Sequence, residues 1–343
     1  MITCELYEEI DHYAWQEYVS THPSSGIYHH IGWKSVIEDA YGHTALYLIA
    51  KNNNEVIGIL PLILIKSRIF GSSLTSLPYL DHSGIIADDT SIQHLLIEKA
   101  HKLGQKYAVD HLELRQLKIS EGNFSNYSEK VLMIMELEAN EEDLLKRLSS
   151  ERRNRIKRAK KSGLSVEITD SSKLHIFYEI WTNNMRDLGS PPHSLLFFKN
   201  ILHNFNEQCT ILLVKTDGVY IGAALALHWK DTITIPWVSS LRKYFKVYPN
   251  NILYWEAMRF AISQNIKFFD FGRSTHGSGT YEFKKRWGAI ARPLHWQYLA
   301  VGNNKSLPIK NENKYKFAVE IWKKLPVQIT RVVGPSLRKN ITA

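Results

Sequence analysis

The chain has 343 residues, 44% of them hydrophobic and 22% charged, with a net charge of +9 and two cysteines. Such a composition suits an ordinary folded protein of about two domains at ~150 residues each, and it excludes disorder and collagen-like order. Cys4 and Cys209 are too few for a disulfide framework and have no CxxC or Cys/His neighbourhood, so redox and metal chemistry are not expected.

Residues 1–20 carry Glu5, Glu8, Glu9, Asp11 and Glu17 where a secretory signal needs a basic start and an apolar core, which points to a cytoplasmic protein. The longest apolar stretch, 56–65, contains Gly58 and Pro61 and falls short of the roughly 18 residues of a spanning helix. From Leu46 the sequence LYLIAKNNNEVIGILPLIL reads as strand, polar turn, strand, and from Ile211 ILLVKTDGVYIGAALAL reads the same way. Each places a Gly seven residues after a Lys: Lys51 to Gly58, Lys215 to Gly222. Farther on, EKAHKLGQKYAVDHLELR from Glu98 and EAMRFAISQNIKFFDFGR from Glu256 run from a helix-like stretch into an apolar strand, and both reach an arginine after 17 residues, Arg115 and Arg273. Two matches in the same order argue for a duplicated unit. Tight turns make antiparallel pairs while a helix carries the chain back to the sheet, so each half is mixed α/β, a largely antiparallel sheet flanked by helices. No GxGxxG follows a strand, which excludes a Rossmann domain.

The halves divide near 138–150, where the strand-like VLMIMELE gives way to NEEDLLKRLSSERRNRIKRAKKSGL. Asn140, with Glu141, Glu142 and Asp143 behind it, starts a helix there that Gly163 stops. The expected domains are therefore 1–148 and 149–300, followed by a basic tail over 301–343. Seven Lys/Arg and one Glu fall in 151–161, and nine Lys/Arg and two Glu in the tail, so these two segments carry +13 and the rest of the chain about −4. Such patches suit a phosphate-bearing substrate, RNA or a membrane surface. A solvated helix face is the preferred reading for the tail; for the denser run the two readings stand level.

Chemistry is expected first in 268–289, FFDFGRSTHGSGTYEFKKRWGA. An apolar strand delivers Asp270, Arg273 and Ser274 to a Gly/Ser loop, and Tyr281, Phe283, Lys284 and Trp287 crowd behind it. A loop that admits a ligand beside fixed cations suits an anionic or carbonyl substrate. Phe283 and Trp287, four apart, also fit one face of a packed helix. In NNMRDLGSPPHS, Arg186 and Asp187 stand at a helix end before a Gly-Ser-Pro-Pro loop, either a surface pair or a substrate contact. In 238–261, Arg242 and Lys246 precede a helix that starts near Asn250 and Asn251, whose free amides suit a phosphate or carboxylate.

The order RRNRIKRAKKSGL, NMRDLGSP, WVSSLR…YPNNILYW and FDFGRST…GSGTYEFKKRWGA, with HHIGWKSVIEDAYGH and GILPLILIKSRIFGSSLTSLPYLDHSGI before it, resembles FemAB-type proteins of the GNAT superfamily over about residues 1–300. Within that group it resembles the branch associated with bacterial exosortase (PEP-CTERM) and exopolysaccharide gene sets. The resemblance implies two tandem GNAT-like domains; the active cleft is expected in the second, whose copy of the repeat carries the Gly/Ser loop and Lys284 whereas the first continues from Arg115 into QLKISEGNF. It further implies N-acyl transfer from aminoacyl-tRNA or acyl-CoA to an amine on a peptidoglycan- or exopolysaccharide-related cell-envelope precursor. Neither donor is a tightly bound cofactor, and a peripheral contact with the inner membrane surface fits such an acceptor. The family's FK pair matches Phe283 and Lys284, with the lysine stabilising the anionic centre; Lys34, beside Trp33, and Arg186 stand near its substrate-phosphate positions.

The chemistry expected is direct attack of a neutral amine on the donor carbonyl, with Asp270 or Asp187 as candidate base or with the substrate assisting itself. No Ser-His-Asp or Cys-His arrangement is evident, so no acyl-enzyme is expected. The alternative from another class is a non-catalytic protein that binds RNA or anionic glycan-lipid head groups through the basic patches.

Overall fold

The computed structural model of the protein describes residues 1–67, 70–127, 129–301 and 312–342. Two compact units emerge, one of residues 1–130, 293–311 and 338–343, the other of 131–292 and 312–337. The division thus falls before the expected 148/149. Val131, Met133 and Met135 are buried in the second core, so their strand belongs with that unit, and the tail supplies segments to both. Lys305 and Lys310 of the basic tail lie outside the described residues.

In the first unit, chain order is β1 (Ile2–Leu6), α1 (His12–Thr21), α2 (Gly32–Tyr41), β2 (Thr44–Ala45), β3 (Leu48–Asn52), β4 (Glu55–Leu60), β5 (Ile63–Ser67), β6 (Gly71–Thr75), β7 (Ile86–Ala87), α3 (Thr90–Lys106), β8 (His111–Gln116) and β9 (Ser125–Tyr127). One sheet has the order β1-β3-β4-β7; the other runs β2-β5-β6-β8, then the returning strand His295–Ala300, then β9. Asp89 caps α3, its carboxylate accepting from Ile92 N at 3.0 Å. Ile92, Leu96, Ala100 and Leu103 then form a buried stripe at helical spacing against the sheet. After α3, β8 runs parallel to β6 over three pairs, Ser73–Thr75 with His111–Glu113.

The second unit follows as β10 (Lys130–Glu136), α4 (Glu141–Arg147), α5 (Ser150–Lys161), β11 (Ser165–Thr169), α6 (Leu174–Leu188), α7 (Leu195–Asn204), β12 (Cys209–Thr216), β13 (Val219–Trp229), β14 (Thr232–Ser240), α8 (Pro249–Ser263), β15 (Phe268–Thr275), α9 (Gly279–Lys285), β16 (Ile290–Pro293), α10 (Glu312–Lys324) and α11 (Val327–Arg338). One seven-stranded sheet has the order β11-β12-β13-β14-β15-β10-β16. Asn140 caps α4 as expected, but the single helix expected up to Gly163 is two: Leu148 is extended and Ser149 caps α5 by accepting from Arg152 N. A serine able to satisfy a new helix start makes the break cheap.

The repeated Lys-to-Gly spacing has a structural cause. In both hairpins the ladder slips just before the lysine, between Ala50 and Lys51 and between Val214 and Lys215, and the glycine stands opposite the preceding residue, Gly58 by Ala50 and Gly222 by Val214. A side chain there would collide: a Cβ on Gly58 would lie 2.6 Å from Ile92 of α3, and one on Gly222 3.0 Å from Ser240 and Val214. Both units therefore share a bulged antiparallel hairpin, then a helix, then a strand that returns parallel.

Candidate active site

In the second unit β14 and β15 run parallel for only three pairs, Thr232–Thr234 with Phe268–Asp270. Beyond them no ladder pair joins residues 235–240 of β14 to β15 among the described residues, while the far edge of β14 stays paired to β13 through Ser240. The sheet thus opens into a V whose β14 edge presents backbone N–H and C=O groups, a template for an extended ligand.

Gly272 shapes the β15 wall. At φ +74° it adopts a conformation that disfavours any side chain, and this turns its peptide groups off the ladder. Its N–H donates to Asp270 Oδ1 at 2.7 Å, while Lys284 Nζ, from α9, donates to the carbonyls of Gly272 at 3.0 Å and Arg273 at 2.8 Å. Ser278 starts α9 by accepting from Tyr281 N at 3.3 Å, which sets the phase that sends Lys284 inward, 8% exposed. Asp270 and Ser274 are buried in the same wall, and Ser274 Oγ has no hydrogen-bond partner among the described residues. Tyr281 is buried with its ring 4.7 Å from His276.

The β14 wall ends in Ser239 and Ser240. Ser240 Oγ donates to Asn250 Oδ1 at 2.6 Å, and Asn184 Nδ2 of α6 donates to Ser239 Oγ at 3.1 Å. The start of α8 offers fewer amides than expected. Pro249 has none, and the N–H groups of Asn251 and Ile252 both bond to the Tyr248 carbonyl, which leaves the Asn250 amide for a ligand. Arg242 and Lys246 are exposed on a short 3-10 turn, Arg242–Val247, rather than in an open loop.

Arg152 is the residue that the sequence misplaces. Expected among the surface cations of the basic run, it is 0% exposed. Its guanidinium carbon lies 4.9 Å from the centre of Phe283 and 5.6 Å from that of Trp287, and Nη1 donates to Asn251 Oδ1 at 2.8 Å. Burial, with Arg155 adding to it, pushes the Arg152 guanidinium down to about 10, still charged at neutral pH. Cation–π contact thus stands in for a carboxylate, and Arg152 ties α5 to the start of α8 and to the FK pair on α9. Burial withdraws Arg152 from phosphate tracking; Arg153 donates to the carbonyls of Lys146 and Leu148 and Arg155 pairs with Glu151, while Arg153, Lys157, Arg158, Lys160 and Lys161 are exposed. Alternating helical faces, with Ile156 and Ala159 buried, are the sequence signal that marks Arg152 as inward.

Arg186 pairs with Asp187 at 2.7 Å and donates to the Leu325 carbonyl at 3.1 Å, which makes them a brace between α6 and the α10–α11 link. Lys34 belongs to the first unit, paired with Glu38 at 2.9 Å and Glu9 at 3.7 Å. Among the described residues no group of His, Cys, Asp and Glu could hold a metal ion, and no helix is long and apolar enough to cross a membrane.

The sequence profile of the acetyltransferase (GNAT) domain family matches residues 147–285, which hold the V, α8 and α9. Among solved structures the fold is similar to FemX, with a TM-score of 0.66 at 15% identity, covering 92% of this chain and 100% of that one. It is also similar to L-PGS from Bacillus licheniformis (0.57, 12%, 96% and 98%) and to a tandem GNAT protein from the clavulanic acid biosynthesis pathway (0.56, 7%, 89% and 100%). At these identities the likeness concerns the fold. No curated protein matches in sequence. Profile and fold agree with the parted strands and the helix between them: residues 147–285 match an acetyltransferase (GNAT) domain, and the chain shares the fold of FemX and of a tandem GNAT protein.

Proposed function

We propose that the second unit transfers an acyl or aminoacyl group from an activated donor to an amine of a cell-envelope precursor. The open V between β14 and β15 carries this reading, because an extended donor can add to the free β14 edge and bring its carbonyl to the β15 wall. An incoming neutral amine attacks that carbonyl, the C–N bond forms, and the CoA thiolate or tRNA ribose oxygen leaves with the electron pair and takes up the proton that the amine loses, so that the substrate assists itself. Lys284 stabilises the developing oxyanion, worth about 3 kcal/mol for one well-placed donor. Asp270 spends Oδ1 on Gly272, so its part here is to hold the left-handed turn at Gly272 that aims Lys284, a positioning role in place of the base expected from sequence.

Acyl-CoA is the donor this reading favours, the Asn250 amide and the exposed Arg242 and Lys246 being suited to its phosphates. Aminoacyl-tRNA is the second reading, supported by the exposed Lys157, Arg158, Lys160 and Lys161. Purified protein incubated separately with labelled acetyl-CoA and labelled aminoacyl-tRNA, each with amine-bearing peptidoglycan or exopolysaccharide fragments, tests both. Label on the amine is expected; neither transfer nor binding of either donor would sink the proposal. With tRNA as donor, changing Lys157 and Arg158 to Gln should flatten the salt dependence of binding by roughly 0.7 in log–log slope per lost contact. An unchanged slope would remove α5 from donor binding.

A further inference from the structure

A surface helix ordinarily turns its apolar stripe inward. In α11 the arrangement is reversed. Its buried residues are Thr330 and Gly334, the latter packed so closely that an added Cβ would lie 2.4 Å from Pro192, and Arg331 on the same side donates to Thr182 Oγ1 at 2.8 Å. Ile329, Val332, Val333 and Leu337 recur at i, i+3, i+4 and i+8 on the opposite, exposed face. In α10 Trp322 is buried and Val319 packs on Gly189, while Phe317 and Ile321 face outward. Phe317 and Val332 are each 78% exposed. Over residues 316–342 the tail is therefore no polar solvated face.

Cations accompany this apolar surface. Lys316 and Lys324 are exposed on α10, Lys323 stands beside Lys324, and residues 312–342 hold seven Lys/Arg against two Glu. A second copy seated on this face would set like charges against each other. An RNA would meet the cations but leave Phe317 and Val332 in water. An anionic amphiphile satisfies both features, since its acidic head groups take the lysines and its acyl boundary takes the apolar side chains.

We propose that α10 and α11 form an interfacial element that seats the second unit on an anionic lipid bilayer, with Phe317, Ile321, Ile329 and Val332 entering the acyl boundary. The proposal is independent of the transfer chemistry. No helix among the described residues is long and apolar enough to span, so the contact is peripheral.

Co-sedimentation of the full chain with phosphatidylcholine vesicles, with and without about 30% phosphatidylglycerol, tests it. Binding is expected with the anionic vesicles and little with the neutral ones. Val332→Glu and Phe317→Glu should each lower partitioning about tenfold, and Val332→Ser, less disruptive to folding, should lower it severalfold. Changing Lys316 and Lys324 to Gln, or raising salt to about 0.5 M, should also weaken binding severalfold. Thermal melts of these variants should stay near wild type. Wild type that stays in solution with anionic vesicles overturns the proposal, as does binding that ignores Val332→Glu and Val332→Ser. A dimer by light scattering that Val332→Glu converts to monomer, without vesicle binding, would assign the face to a second copy instead.

Discussion

Both units bring a helix-strand segment to an arginine, and both let that strand part from its parallel neighbour after three pairs, yet the openings differ. In the first unit the chain fills its own V. Arg115 N donates to Ser76 Oγ at 2.8 Å, its carbonyl accepts from Ser83 N at 2.9 Å, and its guanidinium reaches Glu113, the Leu80 carbonyl and the Thr342 carbonyl while lying 4.1 Å from the centre of Trp296. His43 and Tyr79 hold the same C-terminal segment through the Lys339 carbonyl. In the second unit Lys284 holds the corresponding wall through the Gly272 and Arg273 carbonyls, and the β14 edge is left without a ladder partner on that side. The same bulged hairpin and returning strand thus yield a plugged frame in one case and a ligand template in the other. What fills the gap decides, not the repeat itself.

The largest effect should come from unplugging the first unit. Arg115→Ala leaves Glu113 buried without its partner, a loss of about 3–5 kcal/mol. Urea unfolding followed by a first-unit probe should register it, and a change under about 1 kcal/mol would mean that the plug is incidental. Lys284→Met probes the open V. Turnover should fall about 10²–10³-fold with acceptor KM nearly unchanged. A variant that loses stability but keeps its turnover per folded molecule would make Lys284 purely a clamp for β15.

Acid should separate the units. Burial pushes His29 down to about 3 and His30, His43 and His82 down to about 4, and all four belong to the first unit. These histidines fold neutral, so the stability tied to them is present above their unfolded pKa near 6.5 and is lost as pH falls from there towards 4. For buried His29 and His43 the loss is about 2 kcal/mol each at pH 5. The first-unit melting transition should therefore drop between pH 7 and 5 more than that of the second unit; equal drops would contradict the contrast. The smallest effect is expected from Gly272→Ala, about 1–2 kcal/mol for forcing a side chain to φ +74°. It should still lower turnover, because the Gly272 carbonyl aims Lys284, and unchanged activity would detach this turn from the site.

Much of the frame is legible in the chain because its causes are short-range. The Asp217-Gly218 turn, with φ of +48° and +76°, joins β12 to β13 directly, and the Lys-to-Gly interval records a bulge whose glycine must pass under a neighbour. Phe283 and Lys284 stand out as a pair behind a Gly/Ser loop. Legibility ends where a side chain's surroundings arrive from far along the chain. Arg186 and Asp187 have the composition of a binding pair, yet Leu325 turns Arg186 into a brace.

By itself, then, the sequence determined the repeated hairpin, helix and returning strand, the caps, and the cluster around 268–289, since propensity, turn chemistry and alternation act within a few residues. Only the tertiary structure decided that Arg152 is a core residue meeting Asn251, 99 positions away, that Thr342 closes over Arg115 from 227 positions away, and that α11 shows its apolar side to solvent. Burial of a charge and exposure of an apolar face both depend on which distant surfaces arrive to cover them, and no local pattern encodes that arrival.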